Sequence, residues 1–125
     1  MIRTIASIFI TLGLIIGVSV FEIYYVNHTF YHFHAVLESF YQKTESETAT
    51  HEDGVALQSY WREKKKTLHI WLPHTALQEI DYQLDEAVGC VYVKDYDSAL
   101  PKVEILLGLS ETIPHSYSFN LQNIF

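Results

Sequence analysis

Histidine is the residue type best placed to do chemistry in this sequence, with seven in 125 positions. His28 and His32 stand four apart, so a helix puts both imidazoles on one face, at a spacing that can chelate a transition metal. His34 falls on a different side, so a third ligand has to come from Glu38 or from another helix. The same rings also suit the wet end of a membrane helix without any metal, and the sequence leaves both accounts open. His69 and His74 flank Pro73, with Trp61 and Trp71 nearby. Imidazoles titrating near neutral pH can make such a hinge a proton sensor, or they can cap and pack helix ends.

The other reactive types form no catalytic set. No serine sits in a tight glycine turn, no glycine loop is shaped for phosphate, and Cys90 is the single cysteine. Ala87-Val88-Gly89-Cys90 imitates a lipid-attachment motif but lies far from any leader, so Cys90 is expected as a small buried apolar residue. Carboxylate pairs such as Asp85/Glu86 fall on faces expected to be exposed. Arg62-Glu63-Lys64-Lys65-Lys66 is the one basic cluster; it suits anionic lipid or an acidic partner, or is simply a solvated face. Asn27-His28-Thr29 fits a glycosylation sequon but lies close to the apolar segment. The expectation is a protein that is not an enzyme and needs no cofactor.

The elements that position these residues divide sharply. Thr4 to Phe21 carries no charge and spans ~27 Å as a helix, near the ~30 Å hydrocarbon thickness of a bilayer. Ile23, Tyr24, Tyr25 and Val26 extend it past Glu22, with the tyrosines suited to the membrane–water boundary. Val18-Ser19-Val20-Phe21 is too bulky for a signal-peptidase site, so residues 1–26 are expected as an uncleaved anchor, with residues 4–26 in the bilayer. Arg3 before the helix predicts a cytoplasmic N-terminus and an extracytoplasmic domain over residues 27–125. Gly13 and Gly17 form a small-xxx-small pair that allows a homodimer.

Overall, 49% of residues are hydrophobic, 14% aromatic and 18% charged, with a net charge of −7. Arg3 and Glu22 cancel, so the whole deficit belongs to residues 27–125. An acidic domain of this kind excludes the basic face that nucleic-acid binding needs, and its apolar content excludes a disordered chain.

Periodicity predicts only helices. Phe30, Phe33, Leu37 and Phe40 continue the first helix; residues 42–54 are acidic and polar and read as a loop, with Asp53 as an N-cap. Further helices are expected over about Val55–Leu72, Thr75–Val93 and Ala99–Ile113. Lys64 lies in the second stripe with a snorkelling stem. Pro73 ends or kinks the second helix, Pro101 falls in the first turn of the fourth and Pro114 closes it, with the tail after it packing back. The fold class is therefore all-α: a transmembrane helix continuing into a small antiparallel bundle or hairpin. Leu84 to Pro114 also resembles one tetratricopeptide-type hairpin, but no second copy follows.

Beyond periodicity, WREKKKTLHIWLPH from Trp61, His74-Thr75-Ala76-Leu77, the spaced Ile80 and Leu84, the Lys94-Asp95 turn, Ile113-Pro114 and the closing Asn123-Ile124-Phe125 form a recognisable pattern. With its N-terminal apolar helix, the chain resembles the domain-of-unknown-function family 4363, seen mainly in Gram-positive bacteria. Pro73 departs from the uninterrupted helix of that pattern. The resemblance implies a bacterial, membrane-anchored helical protein and carries no activity or ligand. The aromatic surplus, with Trp61, Trp71, His74 and Tyr96 as the candidate interaction surface, predicts contact with a membrane or extracytoplasmic protein partner. The alternative is a ligand, metal or pH sensor working through a membrane partner.

Overall fold

A computed structural model describes the backbone of residues 1–124 and the side chains of residues 1–116. Four helices follow in order: α1 (Ile2–Glu45), α2 (His51–Leu68), α3 (His74–Tyr92) and α4 (Tyr96–Ile124). Each chain reversal is short, so the helices run alternately up and down. α1 packs on α2 and α4, and α3 packs on the same two, which closes an antiparallel bundle.

α1 does two jobs along its 44 residues. From Ile2 to Phe21 its side chains lie outside the bundle, including Ile5, Phe9, Leu14 and Phe21. From Glu22 onward one face is buried, through Val26, Thr29, Phe30, Phe33, Leu37, Phe40 and Thr44. Spacings of three and four residues put these on a single stripe, as the sequence predicts. Leu57, Trp61 and Leu68 of α2, Leu77, Ile80, Leu84, Ala87, Val88 and Val91 of α3, and Ala99, Val103 and Leu106 of α4 complete one core. Burying each large aliphatic or aromatic side chain is worth ~1.5–3 kcal/mol.

The boundaries differ from the sequence expectation wherever a cap outweighs composition. The first loop is residues 46–50, not 42–54, because polar residues at both of its ends are helical. Thr50 is the N-cap of α2: its hydroxyl accepts from the Asp53 N–H at 3.2 Å while Asp53 Oδ2 accepts from the Thr50 N–H at 3.0 Å. Asp53 is thus the third residue of a reciprocal capping box, and that backbone bond, with Lys43 beside it, holds its carboxyl below its ordinary pKa. α2 ends at Leu68, a turn before the expected Leu72, and Pro73 becomes the extended N-cap of α3. The ring of Pro73 disfavours helical geometry at Leu72, which separates the two helices.

α1 and α3 finish alike. Thr48 N–H donates to the Lys43 carbonyl at 2.8 Å, and Asp95 N–H donates to the Cys90 carbonyl at 2.8 Å. Both are Schellman closures, and they put Glu47 (φ 60) and Lys94 (φ 61) in the left-handed region usually filled by glycine. α4 starts at Tyr96 rather than Ala99, with Asp95 Oδ1 accepting from the Ser98 N–H at 3.3 Å. Pro101 therefore lies in the second turn, and its missing donor faces the carbonyl of exposed Asp97, which water can satisfy. Pro114 does not close α4; it is buried, and the helix runs on to Ile124. The expected packing of the tail falls on side chains outside the described residues. Cys90, expected buried, is half-buried.

Candidate functional site

The histidines of α1 split between two faces. Tyr24, His28 and His32 form a ladder along the exposed side, with Tyr24 and His28 stacked at 5.7 Å and the His28 and His32 rings edge to face at 4.5 Å. The helix thus brings the expected pair together. Among the described residues, no group of three His, Cys, Asp or Glu side chains is arranged to hold a metal ion. His34, two residues on, faces α4, where its Nδ1 lies 2.8 Å from Ser110 Oγ and its Nε2 3.7 Å from Glu111 Oε1. This contact and the bond from the Tyr41 hydroxyl to Glu104 at 3.0 Å fix the antiparallel register of α4 on α1.

The four expected interaction residues do not form one patch. Trp61 is a correction: it is 2% exposed and belongs to the core, between Phe30 and Phe33. Its stripe position in α2 already placed it inward; the polar neighbours drew attention to the surface. Its indole N–H donates to Asp81 Oδ1 at 2.7 Å, and Asp81 Oδ2 accepts from Lys65 Nζ at 3.0 Å. That trio lines a recess of about 290 Å³ between α2 and α3, edged by Arg62, His74 and Tyr82.

Tyr96 is also a structural tie. Half-buried at the start of α4, it donates its hydroxyl to the Ala49 carbonyl at 3.0 Å and fastens the first loop. Trp71 and His74 lie at the opposite end, in and after the α2–α3 turn. There the His69 and His74 rings stack at 5.6 Å, 18° from parallel, both exposed. Ile70 beside them is 70% exposed, whereas Leu72 is only 5% exposed.

A second feature has only a faint sequence signal. α1 and α2 leave an open, mainly apolar groove of about 460 Å³, floored by Val36, Phe40 and Leu57 and edged by His32, Lys43 and Tyr60. Its cause is the small residues Ala35, Ser39 and Ala56, which face one another where larger ones would fill the space. Tyr60 stacks on Phe33 at 6.2 Å with Lys64 Nζ 5.6 Å above its ring, and burial pushes its phenol pKa up. The Lys64 stem lies half-buried, as the stripe position implies.

The class of protein is therefore an antiparallel four-helix bundle carried on an apolar helix long enough to cross a membrane. The family model described as Domain of unknown function (DUF4363) matches residues 18–124, and the chain belongs to that family. The match takes in the bundle and the last turn of the apolar run. No curated protein and no solved structure matches the chain.

Proposed function

We propose that this chain is a single-pass membrane protein, spanning the bilayer with residues 4–26, whose extracytoplasmic bundle works without catalysis by holding a protein partner at the membrane surface. The anchor is supported by the apolar helix: the segment from Ile2 to Phe21 buries nothing in the bundle. A water-exposed run of this kind is unfavourable by ~25 cal/mol per Å² of apolar surface, and a core helix of a soluble protein would be covered. Arg3 supports the outward orientation of the domain.

The observation that carries the partner reading is the α1–α2 groove. It is apolar, open along its length and bordered by Tyr60, Lys43 and Asp53, the mixture of apolar floor and polar rim that protein interfaces use. A segment of an adjacent exported protein fits it. Photocrosslinking residues placed at Ser39 and Ala56 in cell membranes test this, with Tyr82 on α3 as the control position. One discrete adduct from both groove positions and none from Tyr82 supports the proposal. An adduct of twice the chain mass identifies the partner as a second copy, and no adduct from either position refutes the reading.

The paired rings of His28/His32 and His69/His74 favour a second reading, a metal or pH sensor. Zinc or mild acidification then shifts the melting temperature in the parent and not in the His→Ala pairs.

A further inference from the structure

The α2–α3 turn stands at the membrane end of the bundle, and its height follows from ring contacts. Phe33 packs on Trp61 with centroids 4.9 Å apart and on Tyr60 at 6.2 Å, so these residues are level. α2 descends as α1 climbs, and as many residues separate Trp61 from Leu68 as separate Phe33 from Val26. Leu68 is therefore level with Val26, ~7.5 Å above Phe21 at a helical rise of ~1.5 Å per residue. The turn that follows, residues 69–73, lies beyond that level, toward the end of the uncharged run of α1.

We propose that this turn is a second membrane contact: Ile70 and Trp71 enter the headgroup layer of an anionic bilayer, and Arg62 and Lys66 meet lipid phosphates. The proposal rests on the reading that α1 spans the membrane. At that height the side chains match an interface. Ile70 is 70% exposed although Leu68 and Leu72 on either side are buried, and Trp71 is half-buried with its remaining face outward. An amphipathic ring held at the boundary is the usual interfacial anchor.

Charge is distributed to suit the same orientation. At the far end of the bundle Glu45, Glu47, Glu52, Asp53, Asp95 and Asp97 outnumber Lys43 and Lys94. The lower half of α2 carries Arg62, Lys64, Lys65 and Lys66 against Glu63. Lys65 is committed to Asp81 at 3.0 Å. Lys66 and Glu63 pair at 3.5 Å with both side chains largely exposed, a contact easily exchanged for a phosphate. Their heights of ~10–20 Å above Phe21 by the same register, less the reach of a basic side chain, bring them within about one Debye length of the headgroups. At the same heights α3 and α4 carry Glu79, Asp81 and Glu111, so the basic character belongs to the α2 edge of the bundle alone, while the far end is acidic.

The full-length chain reconstituted in phosphatidylglycerol/phosphatidylcholine vesicles tests this, using tryptophan quenching by lipid brominated near the headgroup. Trp61 is buried and level with Phe33, ~18 Å above Phe21, so lipid quenching reports Trp71. The expected result is lipid quenching that is absent in Trp71→Phe and that falls several-fold in pure phosphatidylcholine. An Arg62→Gln/Lys66→Gln variant weakens docking roughly fivefold per cation removed. Unchanged circular dichroism shows that this variant keeps its fold. Co-flotation with vesicles, but with Trp71 quenched by aqueous acrylamide and untouched by brominated lipid, overturns the turn contact alone. Failure to co-float overturns the anchor reading and this one with it.

Discussion

Replacing Gly54 by alanine sets two well-measured effects against each other. Gly54 is buried in the first turn of α2, where alanine improves helix propensity by ~1 kcal/mol. A Cβ there meets Val88 Cγ1 at 2.8 Å, Cγ2 at 3.2 Å and Cβ at 3.4 Å. Val88 cannot swing aside, because a β-branched side chain in a helix has essentially one rotamer, and it is itself 4% exposed. The helices must separate instead, and overpacking of this kind costs ~1–3 kcal/mol. The net expectation for Gly54→Ala is a loss of ~1 kcal/mol, or roughly 4–8 °C in melting temperature for a domain of this size. Val88→Ala alone leaves a small void and also destabilises. In Gly54→Ala/Val88→Ala the new methyl occupies that void, so the double variant loses less than the two singles combined, with a coupling of ~1–2 kcal/mol. Thermal unfolding of the four proteins in one detergent, followed by circular dichroism, closes the cycle. A Gly54→Ala variant more stable than the parent, or a coupling near zero, refutes the close approach of α2 to α3.

Trp61→Phe keeps the ring in the core but leaves Asp81 with Lys65 alone. The expected loss is ~1–2 kcal/mol by the same melts, and Asp81→Ala in the Trp61→Phe background then costs less than in the parent. Lys94→Gly removes a left-handed strain of ~1–2 kcal/mol, offset in part by the freedom glycine gains in the unfolded chain. A gain of ~0.5–1 kcal/mol is expected, and Glu47→Gly behaves the same way because it closes α1 with the same bonds. Asp53 has its pKa lowered in the folded state, so its contribution is present above its unfolded value of about pH 4 and is lost as pH falls through the folded value. Asp53→Asn therefore lowers the melting temperature at neutral pH and flattens its decline in acid; an unchanged acid limb contradicts the capping box.

What the sequence made legible is what periodicity encodes. The stripe from Phe30 to Phe40 and the inward set of α3 are present in the order of apolar residues, and Pro73 marks the break between α2 and α3, though α2 stops a turn earlier than expected. Helix ends were less legible because they depend on single bonds. Residues 42–54 are polar throughout, yet Thr50 and Asp53 satisfy each other's backbone donors and start α2 inside that stretch. Gly54, at the end of the expected loop, lies instead inside α2, where its missing Cβ lets Val88 of α3 come close. Pro114 looked like a stop, and burial holds it inside a continuing helix. The groove left only a faint trace because it is made of what is missing: Ala35, Ser39 and Ala56 each look unremarkable in their own helix, and only the pairing of α1 with α2 sets them opposite one another.

The single helix shared by anchor and bundle constrains any partner. No glycine or proline lies between Gly17 and Gly54, and burial begins at Glu22, directly after the uncharged run. The bundle therefore joins the apolar run without a glycine or proline break, so the height of each surface feature above that run is set by the rise of α1. The groove, lined on α1 from His32 to Lys43, spans ~16–33 Å above Phe21. The headgroup layer adds only ~5–8 Å to the hydrocarbon on each side. With α1 spanning the bilayer as proposed, a partner confined to the bilayer cannot reach the groove. A partner that occupies it must carry an exported segment of its own, held upright beside α1 over two or more helical turns. If the α2–α3 turn makes the membrane contact proposed above, it resists tilting of the bundle and keeps the groove at that height. In that reading anchor, turn and groove stand at three levels along the bundle, and the function proposed for the groove depends on the other two.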